Sequence, residues 1–176
     1  MKKILGGLLA FMFLCNIGLA QAVVKIKFAH GEAEDQSYGV YASMFAKKLE
    51  ELTKGEIKCT IFANGTMGAE LELGQKVQQG TLNMALVTST NVGSLAPSAN
   101  ALALPYLFDS PENLMGEKGL LRSGSPFFNE FQKRILKESG KLRLIGVGTN
   151  GFRLLFSQTH PITSLVELKG LKLRIP

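Results

Sequence analysis

The chain has 176 residues with 20 Lys and Arg against 14 Asp and Glu, a formal charge of +6, a length that suits one domain of ordinary size. Its basic residues are scattered rather than clustered, which excludes a polybasic stripe for nucleic acid. Cys15 and Cys59 are its two cysteines, too few for a disulfide framework.

Residues 1–22 read as a signal peptide. Lys2 and Lys3 form a positive start, Ile4 to Leu14 is an apolar run, and Ala20-Gln21-Ala22 is a small-x-small cleavage site, so the mature chain is expected to start at Val23. The apolar run falls short of the ~20 residues that a membrane span needs, and Asn16 interrupts it. Cys15 follows the bulky Leu14 rather than the small residue of a lipoprotein site. Cleavage leaves 154 residues, and the formal charge falls from +6 to +4 because Lys2 and Lys3 depart with the leader. Cys59 is then the sole cysteine, so an internal disulfide is impossible. It alternates with Ile57 and Ile61 and reads as a buried core residue.

Val24 to Ala29 reads as a strand. From Tyr38 onward, Tyr41, Phe45, Leu49 and Leu52 recur at helical spacing on a segment that ends at Gly55. Glu56 to Phe62 alternates again as a second strand. A helix rich in Glu and Gln runs from about Ala69 to Gln79, and Gly80 supplies a left-handed stop. Met84 to Val87 is a short third strand. The order β-α-β-α-β predicts a parallel sheet with right-handed crossovers, hence an α/β fold.

Thr88 to Ser98 reads as a loop and Ala99 to Leu107 as an apolar segment. Ser110-Pro111-Glu112 is a helix start, with an N-cap hydroxyl and proline at the first helical position. Phe127 to Ser139 is a further helix, stopped by Gly140. Leu142 to Val147 and Phe152 to Ser157 read as strands, Thr163 to Leu168 as a single helical turn, and Leu171 to Ile175 as a final strand. The sequence holds no internal repeat or low-complexity stretch.

Catalytic and metal signatures are thin. The two histidines, His30 and His160, lack Cys/His or Glu/His spacing of the metal-site kind. His30 follows the first strand, where an α/β sheet presents groups to a ligand, although a partly exposed loop histidine is the plainer reading. His160 precedes a proline and reads as structural. No serine sits in a G-x-S-x-G elbow, and "GAELELG" lacks the Lys-Ser/Thr of a nucleotide loop. No catalytic chemistry rises above background in these residues, and none of them calls for a cofactor.

Two arginines say more. Arg153 in "TNGFRLLFS" and Arg174 in "LKLRIP" are flanked by apolar residues in expected strands. Each either snorkels at a sheet edge or pairs with a local Glu, or the two fork onto a carboxylate, for which the planar guanidinium is suited.

With these residues in view, the sequence resembles the solute-binding proteins of TRAP transporters, the DctP family. "KIKFAHGEAED" resembles the family's opening strand and first ligand loop. "FANGTMGAELELGQKVQQGTLNMALVTS" is similar to its G-x-x-G … E … V-x-x-G-x-x-(D/N)-M run, with Asn83 where the family often has Asp. "ALALPYLFDSPEN" matches its LPYLF segment, and "NGFR" followed by "PITSLVELKGLKLRIP" matches its most distinctive stretch. The resemblance implies a periplasmic binding protein-like clamshell that captures a small organic acid, a C4-dicarboxylate or another carboxylate, and hands it to membrane permease subunits. It places Arg174 on the arginine that pairs with the ligand carboxylate and Arg153 on a second arginine of the cleft. Thr88, Ser89 and Asn91 fall in the loop after the third strand that faces the ligand, and His30, a further ligand candidate, lies in the stretch that resembles the opening strand and first ligand loop. Family members run on for well over a hundred further residues. Residues 23–145 are therefore expected to form the first lobe, and 146–176 the crossover and first strands of an incomplete second lobe. A ligand-sensing module of the same fold, or a non-functional truncated fragment, would carry the same residues.

Overall fold

The computed structural model describes residues 23–151, 155–158, 161–172 and 174. Residues 1–22, expected from sequence to be a signal peptide, together with Arg153, His160 and the apolar residues Phe152, Leu154, Leu173 and Ile175, therefore lie outside the described residues.

Three parallel strands form the sheet, β1 (Val24–Ala29), β2 (Ile57–Phe62) and β3 (Met84–Ala85), in the order β2-β1-β3. β1 pairs with β2 along its whole length, from Val24 opposite Ile57 to Ala29 opposite Phe62. β3 joins only at the far end, where Phe28 faces Met84 and Ala29 faces Ala85. The expected α/β sheet is thus present. Its third strand is shorter than the apolar run from Met84 to Val87, because only two of those residues find a ladder partner. Cys59 is half-buried on β2 rather than in the core, and burial raises its thiol pKa.

Helix α1 (Ser37–Leu52) joins β1 to β2. It ends where Thr53 Oγ1 donates to the Leu49 carbonyl at 2.7 Å and accepts from the Ile57 amide at 3.2 Å. Lys54 and Gly55 then take positive φ, 51° and 83°, a turn that Gly55 makes without strain. The buried face of α1 differs from the one its large apolar residues predict. Gly39 and Ala42 are buried, Phe45 packs edge-on against Phe28 at 5.7 Å, and Leu52 is 71% exposed. Small residues let this helix approach closely: a Cβ on Gly39 would lie 2.1 Å from the Glu34 carbonyl.

Helix α2 (Glu70–Gln79) begins with Glu72 accepting from the Ala69 amide at 3.2 Å and ends at Gly80 with φ 82°. Leu73 on α2 is fully buried with Ala29 and Leu82, and Phe62, Met67 and Val87 pack around them. This small core lies beneath one end of the sheet.

The expected loop from Thr88 to Ser98 is instead ordered by two short helical pieces, α3 (Ser89–Gly93) and a 3-10 turn (Pro97–Ala103). Gly93 permits their contact, since a Cβ there would lie 2.1 Å from Asn100 Oδ1. Helix α4 (Pro111–Met115) starts as expected, with Ser110 Oγ accepting from the Asn113 amide. Helix α5 (Pro126–Ser139) is capped by Ser125, whose hydroxyl accepts from the Phe128 amide at 3.0 Å, and stopped by Gly140 with φ 76°. Phe128, Phe131 and Ile135 on one face of α5 form the larger core with Ala96, Ala99 and Leu121. Gln78 on α2 donates to the Ser139 carbonyl at 2.7 Å and ties the two cores together.

Leu142 to Val147 is not a strand. Leu142 is buried and Leu144 and Val147 pack against the α5 core, so the alternation is real but no ladder partner meets it among the described residues. Residues 155–157 and the described part of the final segment, Leu171, Lys172 and Arg174, are likewise not strand. The turn before them is present as a 3-10 turn (Leu165–Leu168), held by Glu167 accepting from the Thr163 and Ser164 amides. Among the described residues, no helix is long and apolar enough to cross a membrane.

Candidate ligand site at the sheet edge

With β1 central, the chain leaves it through α1 for β2 on one side and then returns to β3 on the other. The loops that leave the carboxyl ends of β1 and β3 therefore diverge. This is the topological switch point where open α/β sheets accept ligands. His30 to Glu32 follow β1, and Leu86 to Asn91 follow β3.

His30 is held by its backbone, whose amide donates to the Phe62 carbonyl at 3.0 Å and whose carbonyl accepts from the Gly65 amide at 3.1 Å. Its ring is fully buried, and neither ring nitrogen has a hydrogen-bond partner. This corrects the plainer expectation of a partly exposed loop histidine. The ring meets Tyr38 edge-on, with centroids 6.5 Å apart.

Two carboxylates belong to the same region. Glu32 accepts from the Tyr38 amide through Oε2 at 3.0 Å and from Asn150 Nδ2 through Oε1 at 3.1 Å. Glu70 stands at the start of α2, and its Cγ lies 3.7 Å from where a Cβ on Gly31 would be. Three donors converge on Glu70 Oε2: the Thr88 amide at 2.9 Å, the Thr88 hydroxyl at 2.7 Å and Asn91 Nδ2 at 2.9 Å. Asn91 also donates to Thr88 Oγ1 at 2.8 Å. Both carboxylates act on Tyr38. Burial, then Glu70, then Glu32 push its phenol up to about 12.

The structure thus brings together Thr88 and Asn91, two of the residues expected from sequence, and sets His30 at the end of the neighbouring strand β1. Ser89, the first residue of α3, is half-buried. Arg174 is exposed and makes no hydrogen bond or ion pair among the described residues; Arg153 lies outside them. Glu32, Glu70, Tyr38 and Asn150 were missed. Glu32 carried a usable signal, standing two residues beyond His30 in the first loop after β1. Glu70 carried none, because only folding joins it to Thr88, eighteen positions away. Among the described residues no three His, Cys, Asp or Glu side chains group as metal ligands. A separate open concavity of about 360 Å³ is lined by Leu107, Phe108, Asp109, Glu112, Lys118 and neighbouring residues. All of these are exposed or half-exposed residues without a buried polar group, so the switch point is the better candidate.

The chain is similar to several known proteins. The C4-dicarboxylate-binding protein DctB of Bacillus subtilis is 31% identical over 159 residues, which cover 90% of this chain and 43% of that protein. The 2,3-diketo-L-gulonate-binding periplasmic protein YiaO of Escherichia coli is 29% identical over 157 residues, covering 87% and 44%. A crystal structure of a TRAP periplasmic solute-binding protein from Rhodobacter sphaeroides, in an apo open state, superposes with a TM-score of 0.72 at 32% identity, covering 86% of this chain and 47% of that one. The chain therefore spans less than half the length of the relatives it matches. The model of bacterial extracellular solute-binding protein family 7, DctP, matches residues 28–176. With a parallel sheet, a polar switch point and that match, the chain belongs to the DctP family of TRAP solute-binding proteins, a non-enzymatic family.

Proposed function

We propose that this chain carries the ligand-capturing first lobe of a TRAP transporter binding protein, released into the periplasm by cleavage after Ala22. In this reading residues 23–145 form that lobe, and 146–176 lead into a second. The protein captures a small organic acid and delivers it to membrane permease subunits. Arg174 and Arg153 form the carboxylate fork, and His30, Thr88, Ser89 and Asn91 line the facing wall. The observation that carries the reading is the polar switch point at the carboxyl ends of β1 and β3, where Glu70 ties Thr88 to Asn91 and His30 lies buried without a partner. The names of the two relatives support it, since a C4-dicarboxylate and a diketo-gulonate share a carboxylate. A clamshell gains affinity by desolvating such a ligand between its lobes, while the fork fixes orientation.

The test is a thermal-shift screen of mono- and dicarboxylic acids on the whole gene product, because a ligand that binds only the native state raises the melting temperature. At least one acid is expected to stabilise it, with a dissociation constant then measured by calorimetry. A native protein that no organic acid stabilises would overturn the reading.

A further inference from the structure

We infer that Glu32 is a positioning residue for ligand capture: its carboxylate clasps Asn150 and so fixes the segment from which Arg153 follows three residues on. This rests on the binding-protein reading above, in which Arg153 is an arginine of the cleft. Glu32 stands in the loop that leaves β1 and is half-buried. Its two oxygens hold different elements. Oε2 accepts from the Tyr38 amide in the first turn of α1 at 3.0 Å, and Oε1 accepts from Asn150 Nδ2 at 3.1 Å. One side chain thus joins the end of β1, the start of α1 and a residue 118 positions away.

The segment around Asn150 has little else to hold it. From Arg143 to Asn150 it makes no backbone-to-backbone hydrogen bond among the described residues. Gly146, Gly148 and Gly151 punctuate it, and glycine has the most backbone freedom to lose on ordering. Side chains tether it instead. Gln132 on α5 donates to the Leu144 carbonyl, and Val147 packs against the α5 core. Past Val147 the tethers among the described residues come from α1 and the loop before it. The Tyr41 ring lies beside Gly148, and its hydroxyl reaches the Thr149 carbonyl at 3.5 Å, a distance at which such a bond is weak. The Glu32 bond is shorter and charge-assisted, hence the stronger of the two. It sets where the chain stands as it enters Gly151 and Arg153. A segment ordered before the ligand arrives loses less freedom on binding, which strengthens capture.

The test exchanges donor and acceptor. Asn150→Asp sets a second carboxylate against Glu32, and the two repel. Adding Glu32→Gln rebuilds the bond with its polarity reversed. The introduced amide nitrogen donates to the introduced carboxylate, while the amide oxygen still accepts from the Tyr38 amide. The double variant also keeps the net charge of the unaltered protein. Calorimetry on the whole gene product uses as probe the acid that stabilises it most in the thermal-shift screen, beginning with succinate and gluconate. Asn150→Asp is expected to weaken binding by about tenfold, the scale of a hydrogen bond to a charged group, and the double variant to return to within about threefold. Asn150→Ala, an exposed substitution of a kind that seldom unfolds a protein, should also lose about tenfold, the same bond being removed. It decides the matter with the double variant even where Asn150→Asp does not fold. Unchanged affinity in folded Asn150→Ala protein, or a double variant that binds no better than Asn150→Ala, would overturn the positioning role and leave the binding-protein reading standing. A screen in which no acid stabilises the unaltered protein would overturn that reading and this inference with it.

Discussion

Arg174 is exposed and unpartnered among the described residues, whereas His30 is buried with both nitrogens idle. The two demand opposite partners. A guanidinium loses little by standing in water, so its use depends on a carboxylate arriving and being enclosed. In the whole protein, Arg174→Ala is expected to weaken acid binding by about a hundredfold, the scale of a charged hydrogen-bonded pair. Arg174→Lys should recover only part of this, because an ammonium keeps the charge without the two-pronged geometry. Calorimetry reads both, and unchanged affinity in a folded Arg174→Ala variant would return the residue to a surface role. Tyr38 gives a second test at this scale. Of the three tyrosines, it is expected to ionise near pH 12, the phenol being held neutral by burial and by Glu70 and Glu32. Its folded pKa lies above the ordinary tyrosine value of 10.0, so the folded state holds its proton longer than the unfolded state. The associated stability is complete below pH 10 and is lost as pH rises through about 12. Ultraviolet titration with a Tyr38→Phe control checks it: the late-ionising step should vanish with the hydroxyl.

Among the elements, α5 shows how local signals suffice. Ser125 caps it, Pro126 opens it, and Gly140 ends it in the left-handed region. Every one of these contacts lies within a few residues. Replacing Phe131, which is 8% exposed in the larger core, by Ala is expected to cost about 3–5 kcal/mol. Ser125→Ala should cost only ~1 kcal/mol, the loss of one cap. Denaturant unfolding of the two variants measures the ratio; a cap costing as much as the core residue would mean that α5 is held by its terminus rather than by its face. Leu142 to Val147 is the contrasting case. Its alternation reads as a strand, yet it packs against α5 without a ladder, because a strand needs a neighbour to receive its amides and carbonyls, and no periodicity specifies one.

For the whole molecule, the exposed apolar groups carry the consequence. Val40, Met44 and Leu52 on α1, and Leu104, Tyr106 and Leu107 beyond the 3-10 turn, are all exposed. Among the described residues β2 and β3 have no further strand beyond them. Unpaired edges and apolar patches favour association with other chains. Residues 23–176 produced alone are therefore expected to self-associate at tens of micromolar, roughly the range in which exposed edges and patches aggregate. Size-exclusion chromatography with light scattering measures this. A clean monomer with a sharp thermal transition would show that this segment hides its apolar surface by itself.

The sequence by itself determined the β-α-β-α-β order, the capped helices and the family, because periodicity, cap residues and glycine stops act over a few positions and are written where they act. It also marked His30, Thr88 and Asn91 as polar residues beside strand ends. It did not determine which face of α1 is buried, since Gly39 and Ala42 are selected by closeness of approach rather than by hydrophobicity. Nor did it disclose the pairing of Glu70 with Thr88 and Asn91, or that of Glu32 with Asn150, which lie 18, 21 and 118 positions apart. The parallel sheet gathers the carboxyl ends of β1 and β3 at one edge, and the segment after α5 brings Asn150 to Glu32. There the backbone turns away from the ladder and leaves its neighbouring side chains to find partners across the fold.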